Sequence, residues 1–251
     1  YIRTTSSMNT IVEAIARHAE ETPSKTAINV GKESLTYAEL WKNILCAADN
    51  LSSTNQEEVV IFSAEKSVSF ISHYFAAHLI GIGCVLVDSK ITTETLESIA
   101  TTLPVCCFFS SKDVSAPFPI KRYILSDASP LQQYCFPAPS AIADYMFTTG
   151  TTGRSKCVPL THANLLAAAK NINTFIGNTA SDHELIALPL CHSFGMGRLR
   201  CSLLAGGTCT IIPNFANERK LLKLINSGEI TGFSMVPAAW HYIRHLCASR
   251  F

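Results

Sequence analysis

Long apolar runs are missing from this chain. None of its segments approaches the ~18 consecutive apolar residues that a membrane-spanning helix needs, so no span is expected. Charge of one sign is also missing. The 20 Lys and Arg and 19 Asp and Glu leave a net charge of +1, and no basic cluster is interleaved with aromatics. That removes the electrostatic footprint of a nucleic-acid binder or of a protein held on an anionic membrane. There is no internal repeat and no low-complexity tract. No Gly-x-Ser-x-Gly elbow occurs, which excludes the commonest hydrolase pattern. Gly195-Met-Gly197 lacks the third glycine and the preceding strand of a dinucleotide fingerprint. The ten cysteines include no Cys-x-x-Cys pair, and most stand in apolar segments as small buried residues do. With no signal-peptide pattern at the N-terminus, reduced thiols and a cytoplasmic setting are expected.

What is present is a well-buried α/β composition, 47% hydrophobic and 16% charged. Residues 1–7 read as a leader or expression remnant ahead of Met8. A helical spacing of Met8, Ile11, Val12, Ile15, Ala16 and Ala19 ends at Pro23. A strand over Thr26–Val30 follows, and Thr36 caps a helix to about Leu51. Strands at Glu58–Ser63, Gly83–Val87 and Val105–Phe109 then alternate with helices at Ser67–Ile80 and Thr93–Thr101. Apolar strands alternating with helices predict a doubly wound, mostly parallel sheet flanked by helices. Five prolines lie between Ser110 and Ser140, which reads as a surface crossing around a strand-like Arg122–Leu125. Beyond residue 160 the pattern predicts a helix over His162–Ile176 and a strand over Leu185–Leu188. A helix near Met196–Leu204, a strand over Thr208–Ile212 and a helix over Asn217–Asn226 come next. A strand over Gly232–Met235 and a last helix from Pro237 complete the chain.

The densest chemistry is in Thr148-Thr-Gly-Thr-Thr-Gly-Arg-Ser-Lys156, directly after an apolar run. Glycines let the backbone approach a ligand, hydroxyls and free N–H groups surround phosphate oxygens, and lysine adds a mobile charge. This is not a Walker A loop: Ser155 stands at the second glycine position and Cys157 where a magnesium-binding hydroxyl belongs. Pro159 biases Val158 toward extended geometry, so a strand rather than a helix follows Lys156, and the next helix begins at the N-cap Thr161. Cys157 beside Lys156 is the thiol to watch for a lowered pKa; its ordinary reading is an inert small residue.

These residues resemble the phosphate-loop signature of the AMP-forming adenylating enzymes, which include acyl- and aryl-CoA ligases, peptide-synthetase adenylation domains and luciferases. Leu35-Thr-Tyr-Ala-Glu-Leu40, Leu79-Ile-Gly-Ile-Gly-Cys-Val-Leu-Val-Asp88 and Leu188-Pro-Leu-Cys-His-Ser-Phe-Gly195 with Leu204-Ala-Gly-Gly-Thr208 resemble three further family motifs in the same order. The resemblance implies an AMP-forming carboxylic acid–thiol ligase, using ATP and Mg2+, with CoA or a phosphopantetheine thiol as acceptor. It implies that Thr148, Thr149, Gly150, Thr151, Thr152, Gly153 and Lys156 hold phosphates. It also implies that His192, Ser193, Phe194 and Gly195 border the acyl group, with Lys156 and His192 as the catalytic candidates. The chain departs from the family at Ser155 and Cys157, where proline and glycine are usual. The later Tyr-Gly-Thr-Glu-like and Thr-Gly-Asp-like motifs, and the lysine of a mobile C-terminal domain, are not found after Thr208. Residues 8–251 are therefore expected to be the N-terminal portion of such an enzyme, binding ATP weakly without turnover and leaving most Mg2+ ligands outside. The alternative is a half-enzyme that acts as a nucleotide- or acyl-binding module. A carboxylic acid is the expected partner, with an acyl carrier protein or a separate second half as further ones.

Three smaller features have plain readings. Arg198 and Arg200 are expected on a solvated helix face, the other reading being contact with an acidic carrier. His241 and His245 are expected to pack rather than bind metal, for lack of a third ligand. His73 and His78 are read as incidental.

Overall fold

The structure is a computed structural model that describes residues 8–52, 54–55, 57–125, 130–148, 156–214 and 218–247. Helix α1 (Ile11–Glu21) starts at Thr10, whose hydroxyl accepts from the Glu13 N–H at 3.1 Å. Strands β1 (Thr26–Val30) and β2 (Glu33–Thr36) form a hairpin that turns at Gly31, where φ is 64° and a side chain would be strained. Thr36 and Glu39 then form a reciprocal capping box that starts α2 (Tyr37–Leu51), which gives the Thr-Tyr-Ala-Glu motif a structural role.

An alternating series follows: β3 (Val59–Ser63), α3 (Val68–Leu79), β4 (Gly83–Val87), α4 (Thr93–Thr102), β5 (Val105–Phe109) and β6 (Ile120–Lys121). The chain continues through β7 (Ile142–Thr148), β8 (Lys156–Thr161), α5 (His162–Ile176), β9 (His183–Ile186), α6 (Ser193–Ala205) and β10 (Thr208–Ile211). It ends in α7 (Glu218–Asn226), β11 (Gly232–Phe233) and α8 (Pro237–Cys247). Arg122–Leu125 is not a strand. The pairing residues are Ile120 and Lys121, while Tyr123 turns its ring onto Phe62 and Phe109 and donates its hydroxyl to the Ser63 and Phe109 carbonyls.

The strands divide into two sheets. One runs β6-β5-β3-β4-β7-β8 and is parallel except for the β7–β8 hairpin. The other runs β11-β9-β10-β1-β2 and is parallel except for β1–β2. The mostly parallel α/β class is as expected, and the partition into two sheets is what local pattern does not reveal. Every residue of β3 is buried, as a strand covered on both faces requires, and α3 is buried along almost its whole length. Pro159 lies in β8, an edge strand, where a missing N–H costs no ladder bond.

Candidate functional site

The carboxyl ends of β4 and β7 open into a cavity of about 680 Å3. Val85 to Val87 of β4 with Asp88 just beyond it, Asp144 to Thr148 of β7 and Ile99 of α4 form three sides; Cys191, His192 and the first turns of α6 form the fourth. In open α/β sheets this end of the strands is where ligands bind.

The β7–β8 hairpin holds the ends of the phosphate-loop motif together. Thr148 pairs with Lys156, whose N–H donates to the Thr148 hydroxyl at 3.4 Å. Thr149, Gly150, Thr151, Thr152 and Gly153 lie outside the described residues. β8 is extended from Lys156 onward, and α5 begins only at Thr161, which forms a capping box with Asn164. Lys156 is exposed at the start of β8 and is not among the cavity-lining residues. Cys157 is half-buried and burial raises its pKa, so it is not an activated thiol.

His192 is the N-cap residue of α6. Its carbonyl accepts from Met196 N–H at 3.1 Å, and its imidazole makes no capping bond and lines the cavity. Ser193 lines it too. Phe194 and Gly195 do not. Phe194 is exposed, and Gly195 is pressed onto the chain before it: a Cβ there would lie 2.1 Å from the Pro189 carbonyl oxygen. Glycine at 195 thus lets α6 pack against Leu188–Pro189, which fixes the direction in which His192 leaves the helix. The structure brings Thr148, His192 and Ser193 to one cavity and assigns Gly195 to packing.

Arg198 and Arg200 are not on a solvated face. Both are buried, Arg198 on Glu184 of β9 and Arg200 on Asp144 of β7. Burial of an arginine demands a paired carboxylate, and each strand supplies one. This also removes both from any carrier-docking surface. Nor is His78 incidental: its Nε2 lies 3.0 Å from Asp144 Oδ1, and the Tyr74 hydroxyl donates to Oδ2 at 3.1 Å. Burial pushes the Asp144 pKa up, but the Arg200 charge and the bonds from His78 and Tyr74 outweigh it and hold the carboxyl below its ordinary value. His162, ring to ring with His78 at 5.1 Å, is held neutral, its pKa brought down to about 3 by burial first and then by the neighbouring His78. His78, Cys84 and Asp144 bring potential ligand atoms within 4.8 Å of one another. Asp144 already accepts from three partners there, one of them cationic, so the cluster works as an ion-pair network. His73 Nδ1 lies 2.8 Å from the Ser69 carbonyl, a local helical contact, and His241 is exposed.

A smaller cavity of about 410 Å3 shares Asp88 and Cys191 with the first. Lys66 lines it and donates to the carbonyls of Ala187, Ile212 and Pro213 at 2.6, 2.8 and 2.8 Å, tying the β3–α3 loop to the ends of β9 and β10. Burial brings its pKa down to about 8, against an upward push from Cys191. Sequence reasoning missed Asp144, Arg200 and Lys66. The available signal was a lone aspartate in the apolar run 141–147 and two arginines in an otherwise apolar helix.

The fold and site define an α/β ligand-binding domain, with a cleft at the carboxyl ends of parallel strands between a hairpin loop and a helix N-terminus. The chain belongs to the AMP-binding enzyme family, matching it over residues 15–250. It is 26% identical over 230 residues to a 2-succinylbenzoate–CoA ligase of Staphylococcus epidermidis, covering 89% of this chain and 47% of that protein. It spans about half the length of the curated relatives it matches. Among solved structures it resembles the O-succinylbenzoate coenzyme A synthetase of Bacillus subtilis in complex with AMP, with a TM-score of 0.84 and 23% identity over 93% of this chain and 64% of that one. The Klebsiella oxytoca NpsA N-terminal subdomain, in complex with 3-hydroxybenzoyl-AMSN, matches with a TM-score of 0.79 and 18% identity over 90% of this chain and 59% of that one.

Proposed function

We propose that this chain is the N-terminal portion of an AMP-forming carboxylic acid–thiol ligase. A carboxylate attacks the α-phosphate of ATP, releasing pyrophosphate and forming an acyl-adenylate, and the acyl group then passes to a thiol. The observation that carries this reading is one cavity, in a chain of the AMP-binding family, lined by Thr148 at the start of the threonine-glycine motif and by His192 and Ser193. The 2-succinylbenzoate–CoA ligase relatives favour CoA as the acceptor over a carrier protein.

In this reading Thr148 to Gly153 wrap the β- and γ-phosphates and Lys156 contributes charge from the rim. His192 and Ser193 border the reacting carboxylate, and the apolar walls exclude water. These groups work by positioning and by stabilising phosphate charge. The described cavity suits an acyl group better than a metal ion: Asp88 and Asp144 are its carboxylates, and Asp144 is already paired. The free cysteines among the described residues fit a cytoplasmic setting. Replacing Lys156 by Ala in the complete protein should lower ATP–pyrophosphate exchange by one to several powers of ten, each tenfold being about 1.4 kcal/mol. An unchanged exchange rate would remove Lys156 from the site.

A further inference from the structure

Ser193, Met196 and Arg200 occupy positions one, four and eight of α6, a single helical face, and all three line the cavity. At 1.5 Å per residue, Arg200 lies about 10 Å further along α6 than Ser193. β7 gives a similar depth independently, because Asp144 stands four residues before Thr148, about 13 Å at strand rise. The cavity therefore has a mouth at Thr148, His192 and Ser193 and an inner end at the Arg200–Asp144 pair, with mainly apolar wall between.

The inner end keeps a donor in reserve. Nε of Arg200 donates to the Tyr74 hydroxyl at 2.9 Å, and Nη2 donates to the same hydroxyl at 2.6 Å and to Asp144 Oδ2. Nη1, with two further N–H groups, has no partner among the described residues. The side chain is 8% exposed and is one of the residues lining the cavity. Its charge, however, is already matched by Asp144. A second carboxylate from a ligand would be an uncompensated buried charge, and a bare methyl would leave the two N–H groups desolvated and unpaired. A neutral oxygen acceptor suits both constraints.

We propose that Arg200 is a specificity-determining residue that selects carboxylic acids with an apolar body and a neutral oxygen acceptor, such as a ketone or amide carbonyl, about 10 Å from the reacting carboxylate. This rests on reading the cavity as the acyl site. Three eight-carbon acids of roughly that length test it by calorimetry on the complete protein: octanoate, 7-oxooctanoate and octanedioate. 7-Oxooctanoate should bind about tenfold to a hundredfold tighter than octanoate, the range for a hydrogen bond to a charged donor, and tighter than octanedioate. In the Arg200→Met/Asp144→Leu double variant, an apolar replacement of the pair, octanoate should become the tightest of the three. If that variant does not fold, the Arg200 guanidinium 15N resonance of the unaltered protein should shift with 7-oxooctanoate and not with octanoate. Equal affinities, tightest binding of octanedioate, no binding of any of the three, or an unmoved resonance would each overturn the proposal. Pyrophosphate exchange driven by some other acid would leave the ligase reading standing while this assignment falls. Failure of exchange with every acid sinks the ligase reading, and the three binding constants still decide the role of Arg200.

Discussion

Two arginines of α6, separated by one leucine, make contrasting use of the same chemistry. Arg198 grips Glu184 through two parallel bonds of 2.9 and 2.8 Å, on the side of the five-stranded sheet. Ser234 donates to the same carboxylate at 3.1 Å, and Gly232 backs it so closely that a Cβ would lie 2.3 Å from Oε2. Arg200 faces the six-stranded sheet, where Asp144, Tyr74 and His78 form an equally buried cluster that borders the cavity. Residues two apart on a helix point to nearly opposite sides, so one short segment fastens both sheets. The closed pair is a fastening and nothing else. The open pair fastens and also offers donors to a ligand.

The largest effect should come from breaking the closed pair. Arg198→Met leaves Glu184 as an uncompensated buried charge and should cost about 3–5 kcal/mol in urea unfolding. Adding Glu184→Met should recover most of that loss, because apolar residues replace such pairs at little cost. A double variant as unstable as the single would mean that Arg198 does more than neutralise Glu184.

Acid should distinguish the two sides next. His162 is neutral in the folded protein with a pKa of about 3, whereas unfolded it titrates near the ordinary histidine value of 6.5. Between those values the unfolded chain binds the proton and the folded chain does not, so stability falls as pH falls through that window, by a few kcal/mol in all. Asp144, depressed by its partners once the cost of burial is overcome, adds in the same direction, its contribution being lost as pH falls through its folded value. His162→Gln should flatten the slope of unfolding free energy between pH 6.5 and about 4, measured by urea midpoints. An unchanged slope would place the acid sensitivity elsewhere.

Gly195→Ala follows. Its Cβ would meet backbone, at 2.1 Å from the Pro189 oxygen and 2.9 Å from the carbonyl carbon, and backbone yields less readily than a flexible side chain. A loss of about 1–3 kcal/mol is expected, read as a lower thermal midpoint, with a disturbed His192 as the functional consequence. A midpoint within error of the unaltered protein would show that α6 is free to slide.

Much of this architecture was legible because local signals agreed. Thr26–Val30, Gly83–Val87, Val105–Phe109 and His162–Ile176 carry apolar patterns of the right period, the last with a capping threonine in front, and each element has those bounds in the structure. The partition into two sheets was not legible, because it depends on pairings such as Ile28 with Cys209 that no local pattern encodes. The cavity mouth was legible at Thr148 and His192 because polar groups follow strand ends there, and at Ser193 only through the family resemblance. Its inner end was not. An arginine in a helix reads as solvated until the strand that carries its carboxylate is known, and Asp144 and Glu184 come from different sheets. The family resemblance put Phe194 and Gly195 beside the acyl group with His192 and Ser193, yet neither lines the cavity: Phe194 is exposed and Gly195 packs on Pro189.

The smallest expected effect concerns what joins the two sheets beside the mouth. Lys66 leaves the β3–α3 loop of the six-stranded sheet and donates to three carbonyls at the ends of β9 and β10 in the other. One of those carbonyls belongs to Ala187, the residue before the Leu188–His192 segment. Partial exposure discounts these bonds, so Lys66→Met should cost only about 1 kcal/mol in global stability. Its signature is local instead. Losing an anchor at one end of the segment that presents His192 should speed amide hydrogen exchange across residues 188–192 while the Arg198–Glu184 side stays unchanged, since that pair shares no partner with Lys66. Faster exchange on both sides would mean that the sheets are held as one unit and that the contrast between a closed and an open flank of α6 is one of accessibility alone.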